Sequence, residues 1–118
     1  MFEIERRLSN ELDIPVYHDD QTGTAIVVLA GIINAAKVVG KNVHDLKIVV
    51  NGIGAACVAT TKILIAAGIS NITLVDINGV INLGDANSNS YQKELVHEVT
   101  QVDGKTLDDV IANQDVFI

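Results

Sequence analysis

Aromatic residues are scarce in this chain. Of its 118 residues only 3% are aromatic, although 48% are hydrophobic, so a core has to be built from Val, Ile, Leu and Ala. Small and β-branched apolar side chains suit an α/β fold, in which helices cover parallel strands. The length allows one domain with a modest core.

Cysteine and clustered basic charge are also nearly missing. The one cysteine, Cys57, excludes an internal disulfide and fits a reducing compartment. It has no neighbouring Cys or His at a metal-binding spacing, so we expect a small packing residue. The net charge is −7 and the basic residues are scattered. This disfavours nucleic acid and anionic membranes as partners.

A signal peptide is not indicated, because the first residues are charged where such a peptide needs an apolar centre. The longest apolar run, residues 25–33, is too short to span a bilayer. We therefore expect a soluble, cytoplasmic protein with no membrane partner.

Residues 46–76 are the most informative stretch, because they predict a strand, a glycine turn, a helix, a second strand and an acid. Gly52 and Gly54 follow the first strand at once, and Cys57 takes the third position of a G-x-G-x-x-G-like pattern. Glycines there let a pyrophosphate approach the first N–H groups of the helix. Asp76 ends the second strand, about 20 residues on, where an acid can bind a ribose diol. The pattern predicts dinucleotide binding. The alternative is a βαβ unit whose glycines only make a tight turn.

The remaining residues predict further helices and strands around this unit. We expect an amphipathic helix over 2–12, a polar loop over 18–23, and an apolar helix over 24–39 that is buried on nearly every side. After Asp76 we expect an excursion or short hairpin at 80–84, short helices over 91–99 and 106–112, and a third parallel strand over 115–118.

These elements predict an α/β, Rossmann-like three-layer fold with a short parallel sheet. Residues 1–45 would carry the N-terminal helices and an Asp-Asp loop, and residues 46–118 a βαβαβ nucleotide-binding half. Ligand sites in such folds lie in the loops after the strands. Because the chain stops at its last strand and opens on a helix, we expect a truncated domain, cut from a larger protein.

Four stretches resemble the bacterial branch of the malic enzyme family: FEIERRL at 2–8, LDIPVYHDDQTGTAI at 12–26, KIVVNGIGAA at 47–56 and DVFI at 115–118. The resemblance covers nearly the whole chain. It implies the first part of the NAD-binding domain of an NAD-dependent malate oxidoreductase. Family members oxidise L-malate with NAD or NADP and decarboxylate the product to pyruvate, using Mg²⁺ or Mn²⁺.

The resemblance also assigns roles to residues. Asp19 would belong to the catalytic proton-transfer network, Asp20 would be a metal ligand, and His18 would be supporting structure. From the residues alone, a helix N-terminus is the favoured interpretation of Asp19 and Asp20, and both roles can hold at once. Asp76 would bind the ribose and favour NAD over NADP. The cofactor loop would consist of Gly52, Ile53, Gly54, Ala55 and Ala56.

The family's substrate domain, its Glu-Asp metal pair and its downstream asparagines are missing from this sequence. We therefore expect the isolated chain to be catalytically inactive. A malolactic enzyme fragment is an alternative, since that enzyme uses similar motifs. A stand-alone dinucleotide-binding module and a ligand-free remnant stabilised by self-association are two further hypotheses. An unpaired strand and exposed apolar helix faces would favour a homo-oligomer.

Overall fold

The structure, a computed structural model, describes residues 2–82, 95 and 97–118. Its helices are α1 (Phe2–Glu11), α2 (Thr24–Val39), α3 (Ala55–Ala66) and α4 (Leu107–Val110). Its strands are β1 (Ile48–Asn51), β2 (Ile72–Asp76), β3 (Gly79–Val80) and β4 (Val116–Phe117). A π-helical turn, Asp19–Gly23, leads directly into α2, and a 3-10 turn, Val43–Asp45, precedes β1.

The four strands form one sheet in the order β3-β2-β1-β4. Strand β1 is parallel to both neighbours, with Ile48 opposite Ile72 of β2 and Val116 of β4. The predicted short parallel sheet and its third strand are thus confirmed. Strand β3 turns back antiparallel to β2 and places a short hairpin at that edge.

Helices lie on both faces of the sheet, which gives the expected three layers. Ile48 and Val50 of β1 pack in one cluster with α2 and α3. Val49 faces the other side and packs with Val75 and with Val110 of α4. The second helical layer is thin, because α4 covers only residues 107–110 of the predicted 106–112.

Helix α2 is less buried than its sequence suggests. Its bounds match the prediction and Gly40 ends it in the left-handed region, with φ of 69°. Its buried residues, however, are only Ala25, Ile32 and Ala36. Val27 is 71% exposed and Val38 is 87% exposed. The expectation of burial on nearly every side is wrong, because described residues cover only one stripe of this helix.

The π-helical turn and α2 together make a continuous helical segment, Asp19–Val39, of 21 residues. By length and composition alone this segment could cross a membrane, and the apolar run at 25–33 is only part of it. Core helices of soluble proteins pass the same test, and the buried stripe of α2 packs in the sheet's main apolar cluster.

Three further predictions have different outcomes. The stretch 18–23 is not an irregular loop, since residues 19–23 form the helical turn. Most of the helix predicted over 91–99 lies outside the described residues. The division at residues 45 and 46 stays a prediction.

Candidate functional site

The glycine turn begins at the carboxyl edge of the sheet, where two backbone hydrogen bonds hold the end of β1. Asn51 N donates to Ile118 O and Gly52 N donates to Val75 O, each at 2.7 Å. Gly52 has φ of +123°, a value that L side chains rarely adopt. Gly52 is therefore required by the backbone path itself.

Gly54 differs from Gly52 in its backbone angles. It precedes α3 with φ of −71° and ψ of 179°, which any residue can adopt. A Cβ built on Gly54 would meet no described atom within 4 Å. Neither the backbone angles nor the described neighbours of Gly54 therefore require glycine there.

The start of α3 offers hydrogen-bond donors to that space. The first helical bond runs from Val58 N to Gly54 O at 2.9 Å. The amides of Ala55 and Ala56 precede it, so an α-helix gives them no internal acceptor. Together with the positive end of the helix dipole, they suit an anion such as a pyrophosphate.

Cys57 packs beneath this turn. Its Sγ lies 3.6 Å from the position of a Cβ on Gly52, and the residue is half-buried. Burial raises the pKa of the Cys57 thiol, which keeps it protonated at neutral pH. These facts agree with the packing role that the sequence suggested.

Asp76 ends β2 at the same edge of the sheet as the glycine turn. Its Oδ1 accepts a hydrogen bond from Asn78 N at 2.7 Å and so helps to build the turn into β3. This turn-forming role was missed from the sequence, although an Asp side chain often accepts a hydrogen bond from the amide two residues on. The ribose-binding role of Asp76 stays a prediction.

Asp19 and Asp20 lie in the first turn of the π-helical segment and are exposed. The helix N-terminus expected from the bare sequence is therefore present. The Tyr17 hydroxyl donates to Asp19 Oδ1 at 3.0 Å. This hydrogen bond, together with the nearby negative charge, raises the pKa of Tyr17 above its usual 10.0. Sequence reasoning missed Tyr17, because a contact across two residues depends on the local backbone path.

The π-helical turn packs against α3, so the Asp pair and the helix that follows Gly54 are neighbours. In the same turn, the Nδ1 atom of His18 and the Oε1 atom of Gln21 are buried without a partner among the described residues. The supporting role expected of His18 stays a prediction.

The described residues offer few ligands to a metal ion. Among the described residues no group of three or more His, Cys, Asp or Glu side chains could hold one. One exposed carboxylate, Asp20, does not make a Mg²⁺ or Mn²⁺ site, since such ions take several oxygen ligands.

Fold and glycine turn together define a Rossmann-like, NAD-binding α/β domain. Residues 21–116 match the family described as malic enzyme, NAD binding domain, and the chain belongs to that family.

The matches to relatives cover nearly the whole chain. It is 54% identical over 119 residues to the NAD-dependent malic enzyme of Geobacillus stearothermophilus, covering 99% of the chain and 25% of the relative. It is 46% identical to the bifunctional malic/malolactic enzyme of Bacillus subtilis, covering 99% and 29%. It is 42% identical to the NADP-dependent malic enzyme of Escherichia coli, covering 99% and 16%.

The solved structures agree. The NAD-dependent malic enzyme of Thermotoga maritima superimposes with a TM-score of 0.91 at 40% identity, covering 99% of this chain and 32% of that one. The malic enzyme of Pyrococcus horikoshii gives 0.88 at 38% identity, covering 99% and 29%. The chain thus spans a third or less of the length of these relatives.

Proposed function

We propose that this sequence serves as the first part of the NAD-binding domain of a cytoplasmic, NAD-dependent malic enzyme. The complete enzyme would oxidise L-malate and decarboxylate the product to pyruvate and CO₂. The open space over Gly54, in front of the free amides of α3, is the observation that carries the cofactor part of the proposal. The malate part is supported by the relative that is 54% identical over 119 residues.

Residues of the glycine turn and of β2 would hold the cofactor. Ala55 and Ala56 would donate their N–H groups to the cofactor pyrophosphate, and Asp76 would accept from the adenosine ribose. Ile53 packs on the main apolar cluster and would hold the loop in place. NAD, when bound, would supply the hydride acceptor.

Asp19 would take part in moving the proton of the substrate hydroxyl. Asp20 would contribute one carboxylate to a divalent metal whose other ligands come from outside the described residues. The described residues alone do not form a metal site. For the same reason we expect the isolated chain to bind cofactor without turning over malate.

Calorimetric titration of the chain with NAD and, separately, with NADP tests the cofactor proposal. A matched pair of variants makes the test sharp, because a Cβ on Gly54 and a Cβ on Gly31 both meet no described atom within 4 Å. Gly54→Ala should weaken NAD binding by about tenfold or more, since a methyl group would stand in the path of the pyrophosphate. Gly31→Ala, in the exposed part of α2, should leave affinity unchanged. Equal affinity in both variants, or no saturable binding by the parent chain, would refute the cofactor assignment.

A malolactic enzyme is a second candidate, supported by the 46% identity to the bifunctional enzyme of Bacillus subtilis. A chimera separates the two outcomes: the matching segment of the Geobacillus stearothermophilus relative is replaced by this chain. Accumulation of pyruvate and NADH from malate supports the malic enzyme. Accumulation of lactate without net NADH supports the malolactic enzyme.

Self-association is also part of the proposal. We name the exposed residues Ile26, Val27, Val38 and Val39 the α2 surface; each is more than half exposed. An apolar surface of this kind on a helix favours contact with another chain. We therefore expect the protein to form homo-oligomers.

A further inference from the structure

We infer that Tyr17 is a positioning residue for Asp19, and that Gly23 provides the space in which their two polar groups meet. The inference rests on the proposed function, which gives Asp19 its part in proton transfer. It adds two residues that would act through Asp19 and would not touch the substrate.

The first observation is the hydrogen bond itself. Tyr17 Oη lies 3.0 Å from Asp19 Oδ1, within the usual range for a hydroxyl and a carboxylate. The Tyr17 residue is 64% exposed, so apolar burial does not account for its placement. What fixes the side chain is the polar contact at its end.

The second observation is independent and concerns Gly23. Its φ of −65° and ψ of −49° are ordinary helical values, so the backbone does not require glycine. A Cβ at this position, however, would lie 2.1 Å from Asp19 Oδ1 and 2.4 Å from Tyr17 Oη. Both polar groups occupy the volume that any other residue would fill. A larger residue would have to displace these two side chains, so glycine lets them meet without moving.

The arrangement leaves one side of the carboxylate available. The Tyr17 hydroxyl contacts only one oxygen of the carboxylate, Asp19 Oδ1. A proton-transfer group benefits from having its rotamer held, because a small displacement from the substrate slows the reaction. Tyr17 therefore acts through Asp19, by holding it.

The geometry can be measured on the chain itself, because it has only two tyrosines. In a Tyr91→Phe background, the absorbance of the ionised phenol reports Tyr17 alone. We expect the pKa of Tyr17 to lie above its usual 10.0. Asp19→Ala should return this pKa toward 10.0. Gly23→Ala should have the same effect, whereas Gly31→Ala should not. An ordinary titration of Tyr17 in the parent chain would overturn the inference.

The functional arm uses the chimera with the Geobacillus stearothermophilus relative. Tyr17→Phe should lower kcat by about 3- to 10-fold, the range that one hydrogen bond supports, with the KM for NAD unchanged. Gly23→Ala should lower kcat at least as much. The double variant should be no slower than Gly23→Ala alone, since a hydroxyl cannot hold a carboxylate that has already been displaced.

The outcomes separate the two proposals. If kcat is unchanged in Asp19→Asn, Asp19 has no catalytic role. If the pKa of Tyr17 in the parent chain is nevertheless raised, the hydrogen bond between Tyr17 and Asp19 is still supported. Reduced kcat in Asp19→Asn with full kcat in Tyr17→Phe overturns the positioning role alone. Additive losses in the double variant also overturn it, because two independent defects would then be at work.

Discussion

Asp115 and Lys41, 74 residues apart in the chain, are joined directly: Lys41 Nζ donates to Asp115 Oδ1. The other carboxylate oxygen, Oδ2, accepts from Lys47 N at 3.0 Å, just before β1. One side chain thus ties the residues before β4 both to the connector after α2 and to the entry of β1. The sequence placed Asp115 at the start of a strand but gave no sign of this second role.

Asp115→Asn should lower the thermal midpoint by a few degrees. The amide keeps one acceptor oxygen but loses the ion pair with Lys41 and one of the two hydrogen bonds. Asp13→Asn is the matched control, since Asp13 is exposed and makes no hydrogen bond with a described residue. Thermal unfolding followed by circular dichroism measures both. Equal midpoints in the two variants would show that the contact contributes nothing.

Both Asp115 and Asp109 should contribute to the dependence of stability on pH. The bond to Lys41 and then the Lys47 amide lower the pKa of Asp115 below its usual 3.8. Backbone amides of Lys105 and Thr106 do the same for the pKa of Asp109. Because the pKa of each carboxyl group is lower in the folded than in the unfolded protein, its stabilising effect is complete above pH 3.8. The effect is lost as the pH falls through the pKa of the folded state. The difference in stability between the parent and Asp115→Asn should therefore shrink in strongly acidic solution. A difference that persists there would assign the effect to something other than the charge.

Gly79→Ala should destabilise the protein far more than Gly40→Ala, although both glycines have positive φ. At Gly40 a Cβ meets nothing described within 4 Å, so only the backbone penalty of about 1 kcal/mol applies. At Gly79 a Cβ would lie 2.0 Å from Lys105 O, a backbone atom that also accepts from Val80 N. We expect a loss of about 3 kcal/mol or more at Gly79. Urea unfolding of the two variants checks this, and similar losses would contradict the close approach.

Asp76→Asn should separate the two roles of Asp76. Asparagine keeps an oxygen that can accept from Asn78 N, so the turn should persist. The negative charge is lost, so NAD should bind about tenfold more weakly, while NADP loses a repulsive neighbour. Titration with both nucleotides gives the ratio of affinities. If that ratio does not move, Asp76 is a turn residue and the ribose assignment is wrong.

Charge on the α2 surface should reduce self-association. Val27→Glu with Val38→Glu places two carboxylates among residues that are 71% and 87% exposed in the parent. Burying them in an interface would be costly. Lys37→Glu is the control, because it changes the charge of the same helix without replacing an apolar side chain. Sedimentation velocity should show smaller species for the double variant only. A monomeric parent chain would end the proposal of a homo-oligomer.

Sequence patterns predicted best where one local rule decides the structure. The bounds of α2 and the end of β2 at Asp76 match the predictions, because β-branched runs and a closing glycine are strong signals. The exposure of α2 could not be predicted, since its sequence is apolar all round and has no polar face to mark solvent. The helical turn at 19–23 was missed because Asp, Gln, Thr and Gly favour loops. Its helical form accompanies packing against α2 and α3.

The candidate site was predictable as a set of residues but not as an arrangement. The glycine pattern identified Gly52 and Gly54 together, yet only the backbone angles show that they differ in purpose. The role of Gly23 depends on two side chains that meet above it, and no spacing rule contains that information.

The strand order has a consequence for synthesis. Strand β1 is central in the sheet, and its second neighbour, β4, comes latest in the sequence among the described strands. A nascent chain can pair β1 with β2 early, but one edge of β1 stays open until residues near 116 leave the ribosome. Pairing across so long a separation closes a large loop and is slow. During that interval the open edge of β1 is the segment that a chaperone would have most reason to cover.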